Sequence, residues 1–256
     1  NAWEFWSKAD PTHGQVQFVD QSTAKSQNLI GNDQSGAAFM RVSDKDLSGG
    51  GKRESVRFQS KTAYDTGLII FDVVKMPVGC STWPALWTTK GSTWPTNGEI
   101  DVLEGVGYTS GGTNQNLMTV HLNQDSPLDQ SKIKTSLGKV QSNALNCNQH
   151  GGGNTGCAYR DSNKNGPSWG QDFNQAGGGI WAMQFGNGNG VKIWFWGRQS
   201  GKIPAELQNA SKSPQQLDPS KWPSPMADFQ ATAVDQMVEG QNIIMDITLG
   251  GDWAGS

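Results

Sequence analysis

An ordinary β-strand cannot accommodate Asn97-Gly98-Glu99-Ile100-Asp101-Val102-Leu103-Glu104-Gly105, where three acids sit among three β-favouring apolar residues. Regular alternation would place Glu99, Asp101 and Leu103 on one face and Ile100, Val102 and Glu104 on the other. Glu104 would then share its face with two hydrophobes. One extra residue, a β-bulge between Asp101 and Glu104, removes the conflict: the three acids share one face and the apolar residues turn inward. Allowing for the bulge, Glu99 and Glu104 stand about four strand steps apart, roughly 13 Å at the backbone. On a concave sheet their side chains can lean together to a carboxyl separation of about 5–5.5 Å. At that spacing one carboxylate attacks an anomeric carbon while the other serves as acid and then base. Asp101 between them would raise its neighbours' pKa and orient the attacking group. The competing reading is a solvent-facing edge strand whose acids only prevent aggregation, although edges are more often guarded by Lys or isolated charges.

The rest of the chain reads as sheet and loop. Its 256 residues, 34% hydrophobic with 33 Gly, fit a single all-β domain over 1–256. Strand patterns occur at 16–19, 53–57, 68–74, 116–122, 180–185, 191–196 and 242–249, and Asn187-Gly-Asn-Gly190 predicts a hairpin. The continuous apolar run at 68–74 is expected to be buried on both faces. Residues 123–179 are Gly/Asn/Ser-rich with little periodicity, which predicts a structureless insertion walling a binding site. Residues 201–230 read as a Pro- and Ser-rich loop.

Eleven Trp against three Tyr is an unusual ratio, and indole is the largest flat platform for the apolar C–H face of a sugar. A net charge of −3 gives no electrostatic case for nucleic acid or an anionic membrane, and no apolar run approaches a membrane span. No signal peptide precedes Asn1, so the chain reads as mature secreted or as cytosolic protein, and its cysteines favour secretion. Cys147 and Cys157 bracket a Gly-rich loop that a disulfide would staple. The rival, zinc held by Cys147, His150 and Cys157, lacks a fourth ligand. Cys80 is left over. The segment from Asp161 to Asp172 imitates a calcium loop but carries Pro167 and no flanking helices, so it reads as plain surface loop. Asn209-Ala210-Ser211 is a glycosylation sequon.

Glu99-Ile-Asp-Val-Leu-Glu104 resembles the signature of glycoside hydrolase family 16, the retaining endo-β-glucanases, in its bulged form. Cys80-Ser-Thr-Trp83-Pro84-Ala-Leu-Trp87 through Trp94-Pro95-Thr-Asn97-Gly98-Glu99 is similar to the fungal laminarinase branch. So are Asp10-Pro-Thr-His13-Gly14, Ser55-Val-Arg57-Phe58, Met118-Thr-Val-His121, Asn154-Thr-Gly-Cys157 and Gly251-Asp-Trp253-Ala-Gly255. The resemblance implies a jelly-roll sandwich of two antiparallel sheets with a concave substrate cleft. It implies Glu99 as nucleophile, Asp101 as its electrostatic helper and Glu104 as acid and base. Arg57, Trp87, Trp94, Asn97, His121 and Trp253 fall at glucan-binding positions, whereas Trp83 is read either as core or as cleft.

The expected activity is double displacement on a β-glucan, β-1,3-linked or mixed β-1,3/1,4, with no metal or organic cofactor. Hydrolysis stands ahead of glucan-elongating transglycosylation, since both use one catalytic apparatus, and a non-catalytic glucan-binding protein is the third reading. The expected protein is a secreted monomer, cell-wall associated in one reading, whose partner is the glucan. The family's strand before the Trp3 region and its strand after Gly255 have no counterpart here, so the expectation is either a trimmed or naturally shortened version or sheet edges left open. Relatives also carry cysteines near Thr232 and Gly250 where this chain has none, and a tail cysteine would account for Cys80.

Overall fold

The computed structural model describes residues 2–48, 50–91, 94–107, 115–151, 154–208 and 217–255. Two antiparallel sheets face one another across the main core. The larger has eight strands in the order Trp3–Phe5, Arg57–Ser60, Asn242–Leu249, Thr82–Thr89, Glu99–Glu104, Leu117–His121, Cys157–Arg160, Lys139–Val140. The smaller runs Ala227–Phe229, Val191–Gly197, Gly179–Phe185, Gly67–Val73. Alternation explains the sandwich: Ile100, Leu103, Val120 and Met118 from the large sheet meet Trp181, Met183, Phe195 and Ile193 from the small one, all nearly or fully buried. These large buried side chains form the main apolar store of the fold, each contributing about 1.5–3 kcal/mol.

The hairpin over 186–190 forms as read, with Asn187 at φ 57° and Gly188 at φ 77° supplying left-handed residues between paired strands. The 68–74 run meets apolar clusters on both faces, Ile69 and Phe71 on one and Leu68 and Ile70 on the other. It is nevertheless the edge strand of its sheet, and every residue of Gly67–Val73 keeps some exposure. Periodicity reports what the faces touch but not whether an edge is paired. The structureless insertion expected at 123–179 is corrected too. It contributes Cys157–Arg160 and Lys139–Val140, which extend the large sheet beyond Leu117–His121, and the short helix Gly170–Gln175. Such strands of two to four residues are too short to leave a period. Likewise 201–230 supplies the strand Ala227–Phe229, and Trp222 packs edge-on against Trp194 and Trp196 on the outer face of the small sheet.

Cys147 and Cys157 form a disulfide, which settles the choice between staple and zinc site. Closing this short loop restricts the unfolded chain, a stabilisation of about 2–3 kcal/mol. Cys80 is exposed and unpaired. The Asp161–Asp172 segment is no plain surface loop: Asp161, Asn165 and Ser168 are buried, and Asn165 Nδ2 donates to the Phe195 carbonyl at 2.9 Å. The sequon at Asn209-Ala210-Ser211 lies outside the described residues.

Candidate active site

The bulge exists where the polarity pattern requires it. Against Thr82–Thr89 the register steps from Leu86↔Leu103 to Trp87↔Asp101, so two residues of the acid strand span one of its partner. Against Leu117–His121 a matching shift lies between Leu117 and Thr119. Val102 is the extra residue, fully buried with its neighbours Ile100 and Leu103. Glu99, Asp101 and Glu104 therefore pair with Thr89, Trp87 and Ala85 on one face of the sheet, and the edge-strand alternative is excluded because Glu99–Glu104 is central.

The chain enters this strand through Gly98, whose φ of 73° strains any other residue and where a Cβ would sit tightly, 3.0 Å from the Met237 carbonyl. Thr89 Oγ1 donates to the Gly98 carbonyl at 2.8 Å, and the buried Gln241 donates to the Asn97 carbonyl at 2.8 Å. Asn97 thus enters the site through its backbone, at the base of the loop that carries Trp94.

Each glutamate receives one indole. Trp94 Nε1 donates to Glu99 Oε2, and Trp83 Nε1 donates to Glu104 Oε1 at 2.9 Å. His121 stands opposite Glu99 in register, yet its Nε2 lies nearest Asp101 Oδ2, at 3.3 Å. Its other ring nitrogen faces Gly156, held at φ 56° in the disulfide loop; a Cβ there would come within 2.8 Å of Nδ1. Trp83, left open by the sequence, faces the site and packs edge-on against Trp253 at 5.4 Å, so the two form a wall beside Glu104. Asp10-Pro-Thr-His-Gly14 supports that wall: Asp252 N donates to the Thr12 carbonyl and His13 Nδ1 lies 2.9 Å from Asp252 Oδ1.

On the other side Arg57 lies between two indoles, its guanidinium carbon 5.0 Å from the Trp87 ring and 5.1 Å from that of Trp6. Trp87 Nε1 donates to Asp246 Oδ1 at 2.7 Å. An open groove of about 950 Å³, lined by Trp6, Lys8, Arg57, Gln59 and Lys90 among others, continues outward from this stack. Sequence reasoning missed Trp6 and Asp246. The signal for Asp246 was present, since in Asn242–Leu249 the polar residues Asn242, Asp246 and Thr248 alternate with inward Ile243, Met245 and Ile247. Its register with Ala85 and Arg57 places it on the acids' face.

Four carboxyls on one partly dry surface hold protons tightly. Burial, then the Asp101 charge, raises Glu99 to about 8. Burial raises Glu104 to about 7, opposed by the Trp83 N–H. Burial and Glu104 push Asp101 well up, and burial raises Asp246 against the pull of Arg57 and the Trp87 N–H. Glu99 and Asp101 are within hydrogen-bonding reach, a contact that raises Glu99 and lowers Asp101. Glu99, Asp101 and His121 are also the one group among the described residues whose donor atoms, all within 4.8 Å of one another, could hold a metal ion.

A model of the XgeA-like catalytic GH16 domain matches residues 3–256. Over all of its length the chain is 36% identical to a probable glycosidase of Schizosaccharomyces pombe, of which it covers 57%. It is 37% identical to an endo-1,3(4)-β-glucanase of Arthroderma benhamiae over 99% of this chain and 54% of that one. The chain thus spans little more than half the length of these curated relatives. Laminarinase 16A from Phanerochaete chrysosporium, solved with β-glucans in donor and acceptor sites, superposes with a TM-score of 0.86 at 34% identity, covering 100% of this chain and 82% of that one. An elongating family 16 β-1,3-glucosyltransferase superposes with a TM-score of 0.85 at 33% identity, over 100% and 80%. With the bulged acid strand on the sheet face that carries the indoles, these matches place the chain in a known group: it belongs to glycoside hydrolase family 16, as an XgeA-like catalytic domain.

Proposed function

We propose that residues 1–256 form one catalytic unit, a retaining endo-acting β-glucan glycosidase working on β-1,3 linkages by double displacement. The observation that carries this reading is the bulge, which turns Glu99 and Glu104 to one face with Asp101 between them, each glutamate fixed by its own indole. Glu99 attacks the anomeric carbon as the carboxylate, its proton passed to Asp101, while Glu104 gives its own proton to the departing oxygen. Glu104 then deprotonates the acceptor that releases the glycosyl group from Glu99. Asp101 shares a proton with Glu99 and is oriented by His121. Arg57, held between Trp6 and Trp87, offers its fork of N–H donors to sugar hydroxyls, and Trp87, Trp94 and Trp253 supply stacking surface.

The intermediate can pass to water or to another sugar. The family neighbours include both a laminarinase and a glucosyltransferase, so transglycosylation is the second reading, with the Trp83–Trp253 wall as acceptor platform. Incubation with one β-1,3-gluco-oligosaccharide of defined length separates them by mass spectrometry. Shorter products alone are expected of the hydrolase, and products longer than the input identify the transferase. No reaction on any β-glucan would refute the enzyme reading. The relatives' fungal sources and the disulfide support an extracellular site of action; among the described residues no helix is long and apolar enough to cross a membrane.

Two further outcomes follow. Two carboxyls complete this chemistry, so dialysis against EDTA is expected to leave kcat/KM unchanged. Loss of activity restored by a divalent cation would mean that Glu99, Asp101 and His121 work as ligands instead. In Trp83→Phe the indole N–H that stabilises ionised Glu104 is gone, so the Glu104 pKa rises. The alkaline limb of the kcat/KM profile, set by loss of that proton, then moves to higher pH; an unmoved or lowered limb would break the assignment.

A further inference from the structure

Two main-chain groups inside the bulge are engaged by a side chain. Asn116 Nδ2 donates to the Val102 carbonyl at 2.7 Å, and Asn116 Oδ1 accepts from the Glu104 N–H at 3.0 Å. Asn116 is fully buried, one residue before Leu117–His121, and sits just where the register slips. The amide orientation is fixed by its partners, since an N–H only donates and a carbonyl only accepts. At this length a primary amide offers one of each without taking up a proton.

Asn116 is itself locked. Its own N–H donates to Ser168 Oγ at 3.0 Å, and its carbonyl accepts from the Asp161 N–H at 2.9 Å. Ser168 is fully buried, and Asp161 closes the turn by accepting from the Asn163 N–H at 2.6 Å. The 161–168 segment, which looks like a calcium loop in sequence, therefore gives Asn116 two partners, the Asp161 N–H and the Ser168 hydroxyl.

We propose that Asn116 is a positioning residue for Glu104: it clamps the bulge so that the Glu104 backbone, and with it the acid–base carboxyl, is held at one depth in the cleft. Trp83 fixes the tip of that side chain and Asn116 fixes its root. This inference rests on the reading of Glu104 as acid and base, and the test separates the two. A displacement of about 1 Å in a catalytic group costs about 10²-fold in rate, and the loss concentrates in the step that needs the displaced group.

The experiment compares Asn116→Ala, Asn116→Ser and Glu104→Ala on two substrates. One is an unactivated β-1,3-gluco-oligosaccharide. The other is 2,4-dinitrophenyl β-laminaribioside, whose phenolate leaves without a proton. For Asn116→Ala, kcat/KM on the oligosaccharide is expected to fall about 100-fold, while that on the dinitrophenyl substrate stays within about threefold. Asn116→Ser is too short to bridge both main-chain groups and leaves room for water on them, and it is expected to show the same split. If Asn116→Ala does not fold, Asn116→Ser decides by that split. Equal losses on both substrates, or wild-type values on both, overturn the clamp. If Glu104→Ala shows the split and the Asn116 variants do not, only the clamp falls; if Glu104→Ala loses both equally, the acid–base reading falls and takes the clamp with it.

Discussion

Glu99→Gln is expected to lower kcat on β-1,3-glucan by about 10⁴–10⁶-fold, the scale seen when a covalent nucleophile is removed. The amide keeps an oxygen for the Trp94 N–H, so the loop that carries Trp94 stays in place. Arg57, Trp87 and the groove beyond them are untouched. Binding of a β-1,3-gluco-oligosaccharide, measured by calorimetry, should therefore stay within about threefold of wild type, since the ground-state contacts survive. Above the raised Glu99 pKa of about 8 the substitution also removes one charge from a crowded, buried set of carboxyls. An unchanged or higher Tm is expected, the usual exchange of stability for activity at such sites. Retained turnover would show that Glu99 is not the attacking group.

The second large effect belongs to Glu104→Ala. Without the proton donor, turnover of glucan should fall about 10²–10⁴-fold. Substrates with an acidic leaving group should form the glycosyl-enzyme at close to the wild-type rate, because departure needs no proton, and then stall for lack of a base. Azide needs no deprotonation, and the small cavity left by the carboxyl gives it access to the anomeric carbon. Added azide is therefore expected to restore turnover with the dinitrophenyl substrate and to yield a β-glycosyl azide, identified by NMR. An α-configured product, or no azide product, would contradict the assignment of Glu104.

Much of this site is legible in the chain because it violates a rule. Glu99, Asp101 and Glu104 cannot lie on one face of a regular strand, and the bulge that reconciles them is found at Val102. The 186–190 hairpin and the last strand were legible for the opposite reason, since their residues obey turn chemistry and alternation without conflict. What could not be read is whatever depends on partners far apart in sequence. Trp6, Arg57, Trp87 and Asp246 form one stack only because three neighbouring strands share a register. Trp83 stayed ambiguous because core and cleft indoles look alike until a carboxylate is seen against the N–H. The edge position of Gly67–Val73 and the short strands within 123–179 are likewise products of assembly. The calcium-loop likeness at 161–172 misled because oxygen-bearing side chains that ligate a cation and those that tie down a backbone have the same spelling.

A covalent bond between the glycosyl group and Glu99 is the step on which the proposed double displacement depends. Incubation with 2,4-dinitrophenyl 2-deoxy-2-fluoro-β-laminaribioside, whose fluorine slows breakdown of the intermediate, followed by proteolysis and tandem mass spectrometry, tests it directly. One fluoroglycosyl group per chain is expected on the Glu99 side chain, with one dinitrophenolate released for each group added. A label on Asp101, on Glu104 or elsewhere, or full activity with no label at all, would contradict it.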